Sequence, residues 1–318
     1  MSFSEDIKCK ALDLGFDVAG VTEASAIGER DVESLAQWQR SGFAGQMAYM
    51  ERNFEKRTNP RALLEGAQSV ICLALNYKCA HGGNGDKAET PRATGRIARY
   101  AQYEDYHFFI KKQLRRLVDF IASAAGRDFR FKLCVDSVPL AERSLAVRAG
   151  LGFIGKNHML INPEYGPEVF LAEIITDLAL ETDNPAEGSC SGCEKCIEAC
   201  PTGALRADGR FDASRCISYL TIEHKDAVQG ELARMIGDRL FGCDECVLAC
   251  PLQKEAPACR NRQFKFYGDR QRLVLDDVVV MTEECFESKF GDSPVKRLGL
   301  EALKRNARIC RENIRRQV

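Results

Sequence analysis

The sequence predicts an α+β protein whose 318 residues form an α/β domain, a cysteine-rich domain and a short helical C-terminus. Helix-like and strand-like patterns alternate over roughly the first 180 residues. Eight of the 15 cysteines then fall between residues 190 and 250, and basic residues concentrate at the end of the chain. We therefore divide the chain into residues 1–183, 184–260 and 261–318.

Composition and charge argue against several classes of protein. The formal net charge is −1, so no global field draws the chain to nucleic acid or to anionic lipid. No run approaches the roughly 18 apolar residues of a membrane span. The acidic N-terminus, Met1 to Asp6, lacks the apolar segment of a secretory signal. We expect a cytoplasmic protein without a membrane contact.

The elements of the first 125 residues follow from capping residues, apolar spacing and helix breakers. Ser2 and Glu5 form a capping box for a first helix that Gly15 ends. The sequence then predicts a strand from Phe16 to Thr22, helical residues from Leu35 to Arg52 with breaks at Gly42 and Gly45, a helix end at Asn59-Pro60, a buried strand from Gln68 to Tyr77, a loop from His81 to Gly95, and the longest helix from Asp105 to Ala125.

The next elements lead into the cysteine-rich domain. We predict a strand from Phe129 to Val135, a short helix from Leu140 to Ala149, and paired strands from His158 to Asn162 and from Val169 to Leu180. The run from Gly150 to Lys156 matches both G-x-G-x-x-G and G-x4-G-K, the patterns of nucleotide-binding loops. Both patterns need a strand before the glycines and a helix after them, whereas here a helix precedes and a strand follows. We reject a nucleotide site.

The first cysteine motif contains Cys190, Cys193, Cys196 and Cys200, followed by a proline. This is the C-x2-C-x2-C-x3-C-P run of bacterial iron–sulfur proteins, in which the fourth cysteine serves the other of two clusters. Zinc sites usually show two C-x2-C pairs without the proline-terminated tail. Disulfides require an oxidising compartment, for which nothing in the sequence argues. The motif predicts two [4Fe–4S] clusters.

The second motif, Cys243, Cys246 and Cys250 before a proline, is one cysteine shorter. Exchange of the proline-linked cysteines gives one cluster the ligands Cys190, Cys193, Cys196 and Cys250. The other cluster receives Cys200, Cys243 and Cys246 and lacks a fourth ligand. Cys216 and Cys259 are the candidates. We favour Cys216 because it lies in the interval around which both motifs fold.

Asp105-Tyr-His107 is similar to the start of the Asp-x-His-x-x-Gly motif that ligates the cobalt of cobalamin. Ile110 stands where that motif requires glycine, and a long helix is already under way. We therefore expect His107 to be structural.

Nearly the whole chain resembles the epoxyqueuosine reductases of tRNA modification. The matching blocks are Leu14–Thr22, Met47–Met50, Arg57 with Pro60, Leu73–Tyr77, Arg99–Ala101, Asp105–His107, Val135–Pro139, Ala141–Arg143, Ala149–Gly152, Gly155–Asn157, Phe170–Asp177, both cysteine motifs, Cys216–Glu223, Ser293–Pro294 and Arg305–Asn306. Two features depart from the family pattern. Many members continue into a helical-repeat domain beyond the position of Val318, and the family commonly has Trp-Asn where Pro251 is followed by Leu-Gln-Lys.

The resemblance implies a nitroreductase-like, cobalamin-binding α/β domain joined to a bacterial two-cluster ferredoxin-like domain. Cobalamin would be bound base-off, without a histidine on cobalt. Asp136 would be the proton donor, Cys216 the missing cluster ligand, and Lys225 an RNA contact. The residues near the corrin would be Arg57, Arg99, Asp136, Asn157 and Ser218. The implied partners are the anticodon loop of tRNA and an external one-electron donor such as flavodoxin or ferredoxin. We expect a monomer.

Reduction of an epoxide to an alkene consumes two electrons and releases an oxygen as water, so it requires a positioned acid. A free Asp is ionised at neutral pH, with a pKa of about 3.9. Asp136 lies between an apolar strand and Pro139, where we expect burial to raise its pKa. The alternative role of Asp136 is a cap for the helix from Leu140 to Ala149.

The segment from Pro294 to Val318 carries eight Lys or Arg residues against two Glu residues. One interpretation is a solvated amphipathic helix built on Leu300, Leu303, Ala307, Ile309 and Ile314. The other is a phosphate-binding surface that includes Lys304, Arg305 and Arg308. The sequence alone leaves the two interpretations balanced.

The leading functional hypothesis is reduction of epoxyqueuosine at the tRNA wobble position to queuosine. A cytoplasmic corrinoid-dependent reductase of a small molecule, for example a halogenated one, is the second. A ferredoxin-type electron carrier is the third, and it is disfavoured because some 180 residues precede the clusters, far more than a carrier needs.

Overall fold

The computed structural model describes residues 2–79 and 92–316. In chain order the elements are α1 (Phe3–Asp13), β1 (Val18–Glu23), α2 (Glu29–Arg40), α3 (Phe54–Thr58), β2 (Ser69–Asn76), β3 (Thr94–Ile97), α4 (Tyr106–Ala125), β4 (Phe131–Cys134), α5 (Glu142–Arg148), β5 (Phe153–Ile154), β6 (Leu160–Ile161), β7 (Val169–Thr176), α6 (Lys195–Glu198), α7 (Ile217–Ile222), α8 (Gly230–Ile236), β8 (Arg239–Phe241), α9 (Glu245–Leu248), α10 (Pro251–Glu255), β9 (Arg272–Val274), α11 (Leu275–Val280), α12 (Glu283–Phe290) and α13 (Leu300–Arg315).

The main sheet has the strand order β1-β2-β7-β4, and all of its neighbouring strands are antiparallel. Every residue of β2 is buried, because both faces of the sheet are covered. Ile71, Leu73 and Leu75 belong to the core that includes residues of α1 and α4. The alternate residues of β2 face the core formed with α5. This alternation between two cores explains the unbroken apolar run in the sequence.

The smaller sheet has the order β8-β3-β9 and takes one strand from each of the three predicted segments. Its β3–β8 pair is parallel and its β3–β9 pair antiparallel. Helices α11 and α13 pack against each other beside this sheet. Phe241, Leu275, Leu303 and Ala307 are among the buried residues of the resulting core. The C-terminal segment is therefore packed into the body of the protein.

Several predicted elements are confirmed. Ser2 caps α1, Asp105 caps α4, and Gly126 ends α4 in the left-handed conformation. The glycine run is not a nucleotide loop, since α5 precedes it, β5 lies within it and strand β6 is the next element after it. Gly150 has φ 82°, and a Cβ atom on Gly152 would lie 2.3 Å from the Ile161 carbonyl oxygen. These glycines serve a turn and a close approach to β6.

Other predictions were wrong. The two strands expected to pair with each other do not, because β6 pairs with β5 and β7 pairs with β2 and β4. The helix expected to begin at Leu35 begins at Glu29 and ends at Arg40. The predicted loop from His81 to Gly95 falls mostly outside the described residues, but its end belongs to β3. Within the described residues, none of the helices has the length and apolar composition needed to cross a bilayer.

Candidate functional site

The cysteines of the two motifs lie in two groups beside the packed helices α6 and α9. Burial, and then the neighbouring thiols of Cys243, Cys216 and Cys200, raise the pKa of Cys246. Burial and the nearby Cys200 also raise the pKa of Cys216. The structure thus brings together the four cysteines predicted for one cluster, although their role as ligands stays a prediction.

The second group contains the other predicted ligands. Burial and the thiols of Cys190 and Cys193 raise the pKa of Cys196. Cys250 belongs to a small apolar cluster with Phe153, against which Cys190 packs. The arrangement matches the predicted exchange of proline-linked cysteines between the two motifs. In the part of the chain that the structure describes, no group of three or more His, Cys, Asp or Glu side chains is set up to hold a metal ion. The choice of iron–sulfur clusters over zinc therefore rests on the cysteine spacing.

Cys259, the alternative fourth ligand, lies elsewhere. Its amide nitrogen donates to the Lys78 carbonyl oxygen at 2.7 Å. Burial raises its pKa to about 11, with Asp17 and Cys79 among its neighbours. This placement favours Cys216 over Cys259 as the fourth ligand.

The loop after β5, which imitated a phosphate loop, lies between the two cysteine groups. The Lys156 amide nitrogen donates to Cys190 Sγ at 3.3 Å, and Asn157 Nδ2 donates to the Cys246 carbonyl oxygen at 3.4 Å. Asn157 Oδ1 also accepts a bond from the Met159 amide. Asn157 is therefore placed beside the cysteine domain and is already engaged by it.

Asp136 follows β4 and has φ 52°, a left-handed conformation that is uncommon for a residue with a side chain. Its Oδ2 accepts a hydrogen bond from the Tyr106 hydroxyl group at 2.9 Å and lies 3.2 Å from His107 Nε2. The side chain is 48% exposed, yet Tyr100 and Arg297 also lie near it. Asp136 is thus half-exposed and has aromatic and charged side chains as neighbours.

Two expectations for Asp136 need correction. Burial by itself raises its pKa, but the hydrogen bonds from His107 and Tyr106 outweigh burial and lower the pKa below its usual value. Asp136 is therefore ionised at neutral pH in this geometry. It also does not cap the following helix, since Ala141 occupies the cap position of α5.

His107 was expected to be structural, but it is a neighbour of Asp136. Its Nδ1 lies 2.7 Å from Asp105 Oδ1, so the ring lies between two carboxylates. Burial lowers the pKa of His107, but the bonds to Asp105 and Asp136 prevail and raise it to about 9. Tyr106 stacks on His107 and on Phe170. In the sequence, the Asp105-Tyr-His107 block singles out His107. No local pattern, however, shows that this block lies next to Asp136 in the fold.

The arginines predicted near the corrin both carry a buried Nε atom without a hydrogen-bond partner among the described residues. Burial lowers the pKa of Arg57. Arg99 donates from NH1 to both oxygens of the fully buried Glu168 at 3.0 Å, and its amide donates to Asp244. Ser218 is half-buried in α7, two residues after Cys216. These two donors are available to a ligand that carries acceptor groups, as are the likewise orphaned Nε atoms of Arg148 and Arg239 outside the predicted corrin contacts.

Gln253 supports the ion pair between Arg99 and Glu168. It lies in the short segment after Pro251 at which the sequence departs from the family pattern. Gln253 is buried in α10 and donates from its side chain to Glu168, whose amide nitrogen donates back to Gln253 Oε1 at 3.2 Å. Burial raises the pKa of Glu168 to about 7 despite the opposing effect of Arg99. Residue 253 therefore helps to orient a predicted cofactor contact.

The four predicted RNA contacts differ in their environments. Lys225 and Arg308 are exposed. Lys304 is largely buried and lies 3.3 Å from Glu301. Arg305 donates to the carbonyl oxygens of Leu220, His224 and Asp226 and to Asn306 Oδ1. Because these internal bonds engage its guanidinium group, we no longer predict Arg305 as an RNA contact.

Comparison with known proteins agrees with this arrangement. The family model described as "Epoxyqueuosine reductase QueG, DUF1730" matches residues 57–137, and the "4Fe-4S double cluster binding domain" matches residues 189–253. An epoxyqueuosine reductase of Cyclobacterium marinum is 39% identical over 301 residues, which are 94% of each chain.

Two solved structures are similar over 96% of this chain and 80% of theirs, each with a TM-score of 0.87. One, 34% identical, is an epoxyqueuosine reductase with an epoxyqueuosine-modified tRNA stem loop. The other, 33% identical, is the Bacillus subtilis epoxyqueuosine reductase with its catalytic aspartate loop swung out of the active site.

The fold and the double-cluster domain define an iron–sulfur oxidoreductase in which a mixed α+β domain precedes the clusters. Identity of 39% over nearly the full length of both chains is decisive for the family. The chain belongs to the epoxyqueuosine reductase family.

Proposed function

We propose that this protein reduces the epoxide of epoxyqueuosine at the tRNA wobble position to the alkene of queuosine. The observation that carries the proposal is the Tyr106–His107–Asp136 group beside a two-cluster domain, in a chain of this family. The reaction adds two electrons and two protons to the epoxide and releases one water. The site must therefore deliver both electrons and protons to one oxygen-bearing centre.

The cysteine domain would supply the electrons. We assign Cys190, Cys193, Cys196 and Cys250 to one [4Fe–4S] cluster and Cys200, Cys216, Cys243 and Cys246 to the other. The grouping of their side chains supports this assignment. Each cluster carries one electron at a time, so an external one-electron donor, flavodoxin or ferredoxin, would be required twice per turnover.

Cobalamin is the cofactor that we propose for the α+β domain. Bound there, its reduced cobalt would supply the strong nucleophile that iron–sulfur clusters lack. The buried Nε atoms of Arg57 and Arg99 and the half-buried Ser218 would hold the corrin periphery, with Asn157 at the border to the clusters. His107 is engaged by two carboxylates, which supports binding without a histidine on cobalt.

The protons would reach the departing oxygen through Asp136. At neutral pH the transferable proton lies on His107, whose pKa is about 9, and His107 Nε2 is 3.2 Å from Asp136 Oδ2. Asp136 would receive this proton and pass it to the oxygen as the carbon–oxygen bond opens. The Tyr106 hydroxyl group fixes the same carboxylate oxygen and so orients it.

The RNA would approach the exposed basic residues near α7 and α13. Lys225 and Arg308 remain the candidates for phosphate contacts with the anticodon loop. The relative that is solved with a modified tRNA stem loop supports this substrate. We further propose that the protein acts in the cytoplasm, as a monomer.

Nucleoside mass spectrometry tests the proposal. The reconstituted protein is incubated without oxygen with cobalamin, a one-electron reductant and tRNA that carries epoxyqueuosine. We expect the tRNA nucleoside to lose one oxygen and become queuosine, and we expect no conversion when cobalamin is omitted. Unchanged epoxyqueuosine in the presence of both intact clusters and bound cobalamin would refute the proposed function.

A further inference from the structure

Two further acids lie close to Asp136: Glu142 at the start of α5 and Glu173 in strand β7 of the main sheet. Glu173 is in the middle of β7, and its neighbours across the sheet are Cys72 of β2 and Cys134 of β4. Residues directly opposite in antiparallel strands project to the same face. Glu173 is 0% exposed, and neither of its carboxylate oxygens has a hydrogen-bond partner among the described residues.

Glu142, the first residue of α5, connects this buried acid to Asp136. Its Oε1 accepts a hydrogen bond from the Asp136 amide nitrogen at 2.7 Å. Burial and then Asp136 raise the pKa of Glu142, while burial and then Glu142 raise the pKa of Glu173. The charged and titratable groups that act on the two acids, or on which the two acids act, include Asp136, His107, Tyr106, Arg57, Arg143, Cys72 and Cys134.

This environment raises the pKa of Glu142 to about 8 and raises that of Glu173 as well, so both members of the pair hold a proton at neutral pH. An isolated carboxylate without hydrogen-bond donors is strongly disfavoured in a protein interior. Two neighbouring carboxyl groups also do not ionise together easily. The groups that shift the pKa of Glu173, which are its burial, Glu142 and Asp136, all favour the protonated form. His107 and Arg143 act on Glu142, which is therefore the member that ionises more easily.

The proposed reaction places two proton transfers on one oxygen. The first proton arrives as the carbon–oxygen bond of the epoxide opens and leaves a hydroxyl group. The second arrives as that hydroxyl group departs as water, after the external donor has supplied both electrons. Asp136 must regain a proton between these steps, while the RNA substrate is still bound.

We propose that the half-buried Glu142 and the buried Glu173 form an acid pair that returns a proton to Asp136 between the two transfers. The proposal rests on the proposed function. Glu142 gives up one proton toward Asp136, shares the remaining proton with Glu173, and is reprotonated from solvent after the product leaves. Glu142 is also a positioning residue, because its bond to the Asp136 amide holds the left-handed loop.

Infrared difference spectroscopy of the cluster-containing protein tests the pair without turnover. At neutral pH the wild type should show the carbonyl stretch of a protonated carboxyl group that shifts in heavy water. Glu173→Gln and Glu142→Gln should each remove or displace this band. Asp177→Asn removes a carboxylate at the end of β7 that bonds Arg130, and it should leave the band in place. A wild-type spectrum without the band overturns the proposal.

Single-turnover measurements on pre-reduced protein test the role of the pair. Gln at position 142 still accepts the bond from the Asp136 amide but holds no transferable proton. In Glu142→Gln the rate of queuosine formation should fall by about tenfold or more, within the range for lost proton transfer. The alkaline limb of its pH profile should become shallower, because one ionisation is gone. Cluster content and tRNA affinity should stay at the wild-type values.

A Glu142→Gln profile that superimposes on the wild-type profile overturns the proposal. So does a tenfold loss in Asp177→Asn, since the effect would then not be specific to the pair. If Glu142→Gln fails to fold, Glu173→Gln gives the same comparison from the other member. Failure of the wild type to convert epoxyqueuosine would refute the proposed function instead, and the infrared result would still decide whether the acid pair holds a proton.

Discussion

His107 and Asp136 are 29 residues apart in the chain, and the structure makes them a proton-sharing pair. Burial alone would have raised the pKa of Asp136, which was the expectation from the sequence. The hydrogen bonds from Tyr106 and His107 reverse this effect, so Asp136 is the anion and His107 holds the proton. The chemistry of the acid therefore depends on its two neighbours as much as on its own burial.

The pair predicts the pH dependence of turnover. The pKa of His107 is raised to about 9, so His107 is protonated at neutral pH and loses its proton as the pH rises through about 9. Turnover by pre-reduced protein should therefore fall across that pH range. His107→Gln keeps a hydrogen-bond donor for Asp136 but no transferable proton, and it should be slow at every pH. Wild-type activity that is unchanged well above pH 9 would exclude His107 as the proton source.

Stability should follow the same ionisation. A raised pKa in the folded state means that the His107 interaction contributes fully below its unfolded pKa of about 6.5 and is lost as the pH rises through about 9. Urea unfolding at several pH values should show this loss in the wild type. The His107→Gln variant should lack that part of the pH dependence.

At the scale of elements, the N-terminus of α4 presents Tyr106 and His107 to the loop after β4. Asp105 caps this helix by accepting a bond from the His107 amide at 2.9 Å, and the same oxygen contacts His107 Nδ1. One carboxylate thus fixes both the start of the helix and the orientation of the ring. Helix α5 contributes Glu142 from the other side of the loop.

Two substitutions at Asp105 separate these roles. Asp105→Ala removes the cap and should lower the free energy of unfolding by about 1 kcal/mol. Asp105→Asn keeps the capping ability but removes a charge from His107, so stability should change less while the pKa of His107 falls. Denaturant unfolding and an NMR titration of His107 measure the two effects. Equal stability loss in both variants would show that the charge, and not the cap, stabilises the helix.

A comparison of Cys216→Ala with Cys259→Ala tests the assignment of the fourth cluster ligand. Anaerobically purified protein should contain about eight iron atoms, since each cubane holds four. Cys216→Ala should lose or degrade one cluster, whereas Cys259→Ala should keep both, because Cys259 lies beside Cys79 and Asp17. Iron analysis with electron paramagnetic resonance measures this. Full iron in the Cys216 variant and loss in the Cys259 variant would reverse the assignment.

At the scale of the molecule, the smaller sheet joins all three segments of the chain, and α13 completes its core. Arg305 and Asn306 bond to carbonyl oxygens around α7 and β8. Arg305 of α13 therefore serves internal packing. Arg308 of α13 is exposed, as is Lys225 just after α7.

The difference between the exposed and the internally bonded basic residues predicts two kinds of variant. Replacing Lys225 and Arg308 by Ala should weaken tRNA binding and flatten the salt dependence of the logarithm of the affinity by about 0.7–0.9 for each lost phosphate contact. Arg305→Ala should instead lower thermal stability. Binding measured at several salt concentrations separates them. An unchanged salt slope in the double variant would assign these residues to the solvated surface.

Local chemistry made much of the architecture predictable. Asp105 and Gly126 mark the ends of α4, the apolar run of β2 marks a buried strand, and the cysteine spacing implies two clusters. Strand β3 was missed because it is short and its partners, β8 and β9, lie more than 140 residues away. The pKa of Asp136 and the placement of Glu142 against its amide likewise depend on folded geometry.

The most direct test of the account compares the wild type with Asp136→Asn in the nucleoside assay. The substitution keeps the size of the side chain, so both clusters and cobalamin binding should be retained, but Asn cannot take a proton from His107 and pass it to the departing oxygen. We expect formation of queuosine to slow by ~10² to 10⁴, the usual contribution of a general acid. Near-normal conversion by the Asn variant would contradict the assignment of Asp136 as the proton donor.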